Sequence, residues 1–222
     1  MAVSGAENYT TAYVYDANNR LKTETRTENG TSAATTYFYD ANGNLTKTVS
    51  PGGEVNNAYN GLDQLVFTYS GSSGTVYAYN AQGIRIAKVT ADSVTSFLLD
   101  GGNVVGEVQD GILSTSYLRG VNLIRRIGAE GMEYYLFNAH GDVVALTDGF
   151  GSLTKSYDYD AFGKEKNPDS TDTNPFRYCG EYFDTETGTY YLRARYYDPA
   201  IGRFTQKDTY LGDYQDPLSL NY

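Results

Sequence analysis

The chain has 222 residues, with 24 Gly, 23 Tyr, no Trp, one Cys, one His and a formal charge of −10. A chain this acidic repels nucleic acid and anionic membrane surfaces, and a single cysteine excludes an internal disulfide framework. No apolar run of about 18 residues exists to cross a bilayer as a helix, and Met1-Ala2-Val3-Ser4 does not begin a signal peptide.

One phrase recurs along the chain. It appears first as Tyr13-Val14-Tyr15-Asp16 leading to Leu21, and then as Tyr37-Phe38-Tyr39-Asp40 leading to Leu45. It returns as Tyr77-Ala78-Tyr79-Asn80 leading to Arg85, and as Tyr157-Asp158-Tyr159-Asp160 leading to Lys164. Weaker copies surround Asn60, Asp100 and Asn138. A period of about 20 residues marks one supersecondary unit stacked many times.

Within a unit, Tyr37 and Tyr39 share one face of a strand. Asp40 to Asn44 supply turn chemistry: Asp and Asn side chains bond their own backbone two residues on, and Gly43 takes positive φ freely. Leu45 to Val49 resume the alternation of a second strand. Stacked hairpins are expected to align the Tyr pairs into a cross-strand ladder, each pair contributing roughly 0.2–1 kcal/mol. No helical period survives the Gly and Asn interruptions. The fold class is therefore all-β: repetitive antiparallel hairpins building a curved, spiralling sheet.

Residues 1–166 read as these repeats, in which Arg125 and Arg126 are a solvated or acid-paired couple. Residues 167–174 read as an acidic, Thr-rich flexible loop, and 175–222 as a denser, different segment. Asp184-Thr185-Glu186-Thr187-Gly188 is a turn, Thr189 to Tyr197 a strand, and Asp198-Pro199 with Gly202 a second turn. The chain starts inside the repeat pattern and ends without a cap, which suggests a piece of something longer whose exposed edge strands favour a homodimer.

The order Asp184, Thr187-Gly188, Tyr190-Tyr191, Arg195-Tyr196-Tyr197-Asp198-Pro199, Gly202-Arg203-Phe204 and Asp208 strongly resembles the core region of Rhs / YD-repeat proteins. The upstream Tyr-Asp repeats match the same family. The resemblance implies a β-strip spiralling into a hollow shell, with the core segment plugging one end. It further implies an aspartyl autoprotease that cuts a C-terminal toxin domain from the chain, the toxin staying inside until delivery. By position, Asp184 and Asp208 are the candidate catalytic pair, with Arg193 and Arg203 as supporting cations. Close carboxylates split their pKa values and can activate a water. Here Thr209 follows Asp208 where the family usually has Pro, and the scissile stretch would lie beyond Tyr222, so no enzymatic turnover is expected of this segment alone. It carries too few strands to close a shell, so an open, curved or assembled sheet is expected.

The partners implied are the chain's own C-terminal toxin domain and a secretion or delivery partner, and the full-length protein would be secreted or held at the cell surface. A second function class is a carbohydrate-binding adhesion module in which Tyr39 and Tyr79 stack on sugars; a third is a protease acting in trans. No cofactor or metal is expected. The Asp40, Asn42, Asn44 series places Leu45 and Pro51 where a calcium loop needs Gly and an acid. His140 and Cys179 are too few for a zinc site. As a nucleophilic pair they are disfavoured: the histidine occupies a repeat turn and Cys179 reads as a buried thiol in an aromatic strand.

Overall fold

A computed structural model describes residues 9–208. They form two compact units: the described residues before Thr75 together with those after Thr205, and Thr75–Thr205. Neither contains an α-helix among the described residues; Tyr178–Gly180 forms one 3-10 turn. The all-β expectation holds.

The first unit begins with β1 (Tyr9–Tyr15), β2 (Leu21–Glu28), β3 (Thr31–Tyr39), β4 (Leu45–Ser50), β5 (Gly53–Tyr59) and β6 (Leu65–Ser70). Each pairs antiparallel with the next. At the junction starts β7 (Ser73–Tyr79). The second unit continues with β8 (Arg85–Val89), β9 (Val94–Asp100), β10 (Asn103–Gln109), β11 (Ile112–Arg119), β12 (Leu123–Gly128), β13 (Gly131–Phe137), β14 (Val143–Thr147) and β15 (Leu153–Ser156). The meander from β7 to β15 is again antiparallel between sequence neighbours.

The repeated Asp or Asn explains each turn. Asp16 Oδ1 accepts the N–H groups of Asn18 and Arg20 at 2.9 and 3.0 Å. Asn80, Asn138, Asp148 and Asp160 repeat this grip on residues two and four ahead. The carboxylate or amide thus satisfies backbone donors that the tight turn leaves over. A bulge just before the second aromatic, as at Phe38/Tyr39 and Ala78/Tyr79, sets Tyr39 opposite Leu45 and Tyr79 opposite Arg85. Bulges of this kind bend the strand and increase its twist.

The Tyr ladder takes a different form from the one expected. Aromatics two residues apart stack on each other, Tyr135 on Phe137 within β13 at 6.2 Å and Tyr157 on Tyr159 just beyond β15 at 6.4 Å. The aromatic strands alternate with others, so equivalent rings stand about 10 Å apart, too far to touch. Repeats are instead tied by the second Tyr, whose hydroxyl donates to a carbonyl at the start of the preceding strand. Tyr39 reaches Leu21 at 2.9 Å, Tyr59 reaches Leu45 at 3.0 Å, and Tyr159 reaches Val143 at 2.8 Å.

The segment after the repeats folds as a small antiparallel sheet of β16 (Tyr182–Asp184), β17 (Thr189–Tyr191), β18 (Tyr196–Asp198) and β19 (Arg203–Phe204). It covers the aromatic face of the second unit's meander. The first aromatic of each repeat lies in a row across β7, β9, β11, β13 and beyond β15, and each member meets this segment. Tyr157 donates to Asp172 and Tyr135 to Asn174, both at 2.8 Å. Tyr117 meets Phe176 edge-on at 4.9 Å, Phe97 meets Tyr182 edge-on at 5.3 Å, and Tyr77 lies 5.6 Å from Tyr196. The segment therefore runs back across the strands it follows. The other face of the meander keeps Val76, Ile86, Leu98, Leu118 and Leu136 exposed.

Residues 167–174 carry no regular strand or helix, and their far end is held in place. Asn174 is fully buried, donating to the Phe176 carbonyl at 2.6 Å, and Asp172 pairs with Lys155 at 2.9 Å. Arg126 likewise turns inward, its Nε donating to Glu133 at 2.7 Å.

Candidate functional site

In five repeats the position directly after the turn is held by a buried aliphatic residue: Leu21, Leu45, Leu65, Leu123 and Val143. In one repeat it is Arg85, buried to 1 % exposure. A guanidinium at a leucine position demands an anion, and Asp184, at 0 % exposure at the end of β16, supplies it through Arg85 Nη1. Lys88, one turn of the pleat further along β8, approaches the other oxygen of Asp184 at 3.4 Å and pairs with Glu186 at 2.6 Å.

Rings close the site. The Arg85 guanidinium lies 4.3 Å from the Tyr191 ring centre, 5.0 Å from Phe97 and 5.1 Å from Tyr182. Tyr196 accepts from Arg85 Nη1 at 3.2 Å, and the Arg85 N–H donates to the Tyr191 hydroxyl at 2.8 Å. Burial holds the hydroxyls of Tyr182 and Tyr196 well above the phenol range, so they remain neutral. Burial alone would lower the pKa of Arg85, but the Asp184 charge outweighs it and the net shift is upward. The arrangement is a desolvated ion pair that joins wall to covering segment, the kind whose rupture is costly.

Of the residues singled out from the sequence, Asp184 is at this centre. Its cations are Arg85 and Lys88, whereas Arg193 pairs with Glu181 at 2.5 Å and Arg203 stands opposite Asp198 in the β18–β19 register. Asp208 is half-buried and belongs to the first unit. Tyr39 is half-buried with the Arg20 guanidinium 5.0 Å over its ring, and the Tyr79 hydroxyl meets that of Tyr196 at 3.1 Å. Arg85 itself went unrecognised as a site residue. Its signal was present, because it puts a charge where other repeats carry Leu21, Leu45 and Leu65.

A second constellation corrects an expectation. Cys179 is not a buried thiol in a strand; it is exposed, in the 3-10 turn, with φ of 54°. There its Sγ lies 3.9 Å from Nδ1 of His140, although 39 residues separate them. Asp142 joins them, one oxygen 2.9 Å from the same Nδ1 and accepting the Cys179 N–H at 2.9 Å. Desolvation, together with the Asp142 and Glu181 charges, pushes the thiol up to about 11, so it is not a ready nucleophile at neutral pH.

A repetitive antiparallel strip clamped by an aromatic segment through a buried Arg–Asp pair defines a shell-type repeat protein with its associated core. Family models agree. The RHS Repeat matches residues 15–55 and the Teneurin YD-shell matches 109–220. The chain is 32 % identical, over 94 % of its length, to the tRNA3(Ser)-specific nuclease WapA of Bacillus spizizenii, and 28 % identical, over 85 %, to the toxin protein Tse5 of Pseudomonas aeruginosa. It belongs to the Rhs / YD-repeat family. It spans only 10 % of the length of the first relative and 17 % of the second. Its fold is similar to that in the crystal structure of TcdB2-TccC3-TEV, with TM-score 0.57 and 18 % identity, covering 95 % of this chain and 14 % of that one.

Proposed function

We propose that this chain is a wall-and-core section of a larger protein that encloses and delivers a C-terminal toxin domain. The observation that supports it most directly is the row from Tyr157 to Tyr77 covered in reverse order by residues 172–196 and locked by Arg85 and Asp184. Such a docked segment gives the repeat wall a fixed cover. The nuclease and toxin relatives are far longer than this chain, which fits a shared carrier attached to varied cargo. The full-length protein is then secreted or delivered outside the producing cell.

The finer part of the proposal is that the core segment serves aspartyl self-cleavage in the longer protein, with Asp184 and Asp208 as the acids. In such a reaction a carboxylate activates a water for attack on a peptide carbonyl and a carboxyl returns a proton to the leaving nitrogen. The test extends the chain beyond Tyr222 to a reporter domain and follows intact mass. Cleavage by wild type that stops in Asp208→Asn, while the variant still unfolds cooperatively, supports self-cleavage. A wild type that stays whole removes it and leaves the carrier role alone. Protection of the reporter from added protease tests enclosure separately.

A further inference from the structure

His140, Asp142 and Cys179 are not used by the carrier role or by the proposed cleavage, yet they converge on one point. Their three donor atoms, an imidazole nitrogen, a carboxylate oxygen and a sulfur, all lie within 4.8 Å of one another. We propose that they form a binding site for a borderline-soft divalent cation of the zinc type, which fastens the Cys179 turn to the β13–β14 turn.

The choice between a metal site and a catalytic relay rests on which ring nitrogen each partner addresses. In a nucleophile–His–Asp relay the acid sits at one imidazole nitrogen and the nucleophile at the other, so that a proton can cross the ring. Here both Asp142 and Cys179 face Nδ1, at 2.9 and 3.9 Å. No proton can be handed across the ring between them. Three ligands around a shared centre is the arrangement a cation requires.

The dimensions fit. Zinc–sulfur and zinc–nitrogen bonds of about 2.3 and 2.0 Å at tetrahedral angles place the two ligand atoms about 3.5 Å apart, and nitrogen and oxygen about 3.3 Å. The observed separations of 3.9 and 2.9 Å differ from these by tenths of an ångström. Mixed nitrogen, sulfur and oxygen donors suit zinc and disfavour calcium or magnesium, which select oxygen.

Supporting contacts hold the ligands in place, as metal sites require. The second oxygen of Asp142 accepts from Asn138 Nδ2 at 2.8 Å, and the Asp142 N–H donates to Asn138 Oδ1 at 3.0 Å. The His140 ring rests against Tyr178, 5.4 Å between ring centres. His140 and Cys179 line a polar hollow of about 500 Å³ together with Asn122, Asn138 and Arg119, leaving room for a water as fourth ligand. The repeat turn that carries His140 and Asp142 is built like the others, so the ligands sit on a rigid element.

A Co²⁺ titration of the whole chain tests this, because His140 and Cys179 are its only imidazole and only thiol. The expected result is a thiolate-to-cobalt charge-transfer band with the intense visible bands of a tetrahedral ion, saturating at one equivalent and displaced by Zn²⁺. Zn²⁺ should raise the unfolding temperature of wild type and leave that of Cys179→Ser unchanged. His140→Gln should weaken binding at least about tenfold. Folded wild type without the charge-transfer band overturns the proposal, whatever the variants do. So does a band whose affinity is unchanged in His140→Gln.

Discussion

Two copies of the repeat, one from each unit, end differently. In the first, Tyr13 and Tyr15 follow the family phrase yet stay 52 % and 43 % exposed, although Tyr37, later in the same unit, is 6 % exposed. In the second, the equivalent Tyr77 is 3 % exposed because Tyr196 covers it. The turn grip of Asp16 and that of Asn80 are alike. What differs is cover. The repeat specifies a hairpin and presents an aromatic, but whether that aromatic becomes core depends on a segment far away in sequence. Charge follows the same division. Arg85, Lys88, Arg126 and Glu133 are buried under the covering segment, while the buried polar residues of β1–β6 are the neutral Asn44 and Thr68.

The sharpest way to break this contrast is to restore the repeat pattern where the second unit departs from it. Arg85→Leu makes that repeat resemble those of Leu45 and Leu65, but leaves Asp184 buried without its guanidinium. Loss of one partner of such a pair costs about 3–5 kcal/mol. Arg85→Leu combined with Asp184→Leu should recover most of that loss, since a well-packed apolar pair is often as stable as the ion pair it replaces. Urea unfolding of the two singles and the double gives the coupling directly. A single Arg85→Leu with wild-type stability would show that the pair does not clamp the segment.

Next in size is the aromatic row. Phe97→Ala removes a ring packed edge-on against Tyr182 and should cost about 3–4 kcal/mol. Tyr13→Ala, at an exposed repeat position, should stay within about 0.5 kcal/mol. Equal losses at the two positions would mean that cover is not what separates these two repeats.

These two positions also mark how far the sequence could be read. The hairpins were legible because Asp40 or Asn80 followed by Gly43 or Gly83 is local chemistry: the side chain binds backbone two and four residues away. The strand content and the absence of helix follow from the same short-range rules. The cover was not legible in this way. That Tyr117 would meet Phe176, or that Cys179 would come to His140, depends on a reversal of chain direction that no local pattern encodes. Cys179 reads as a strand residue because its neighbours Phe176, Arg177 and Tyr178 look like one. The left-handed backbone at Cys179, followed by Gly180, makes a turn instead. Arg85 falls between these cases. Its neighbours are ordinary, yet its mismatch with Leu21 and Leu45 was visible, and a buried anion elsewhere follows from it.

The smallest effect concerns Glu107, on β10, and it separates burial from pairing as the cause of strain under the covering segment. Burial raises the pKa of its carboxyl, and the hydrogen bond donated by Tyr117 at 2.8 Å only partly offsets this. A raised folded-state value means the stability linked to Glu107 is fully present below its unfolded value, near 4.5, and is lost as pH rises through the folded value. Glu107→Gln keeps an oxygen for the Tyr117 hydroxyl while removing the charge. The variant should therefore be more stable than wild type at pH 7, with the advantage shrinking as pH falls through the raised folded value and gone once pH is below about 4.5. Paired urea unfolding of wild type and Glu107→Gln across that range reads the difference. A gain that did not depend on pH would assign it to packing. A loss at pH 7 would mean that the Glu107 charge is compensated by the nearby Lys88 and Arg85, whose attraction opposes burial. In that case the covered face would be a connected charge network reaching from Glu107 to Asp184 and not a set of isolated pairs.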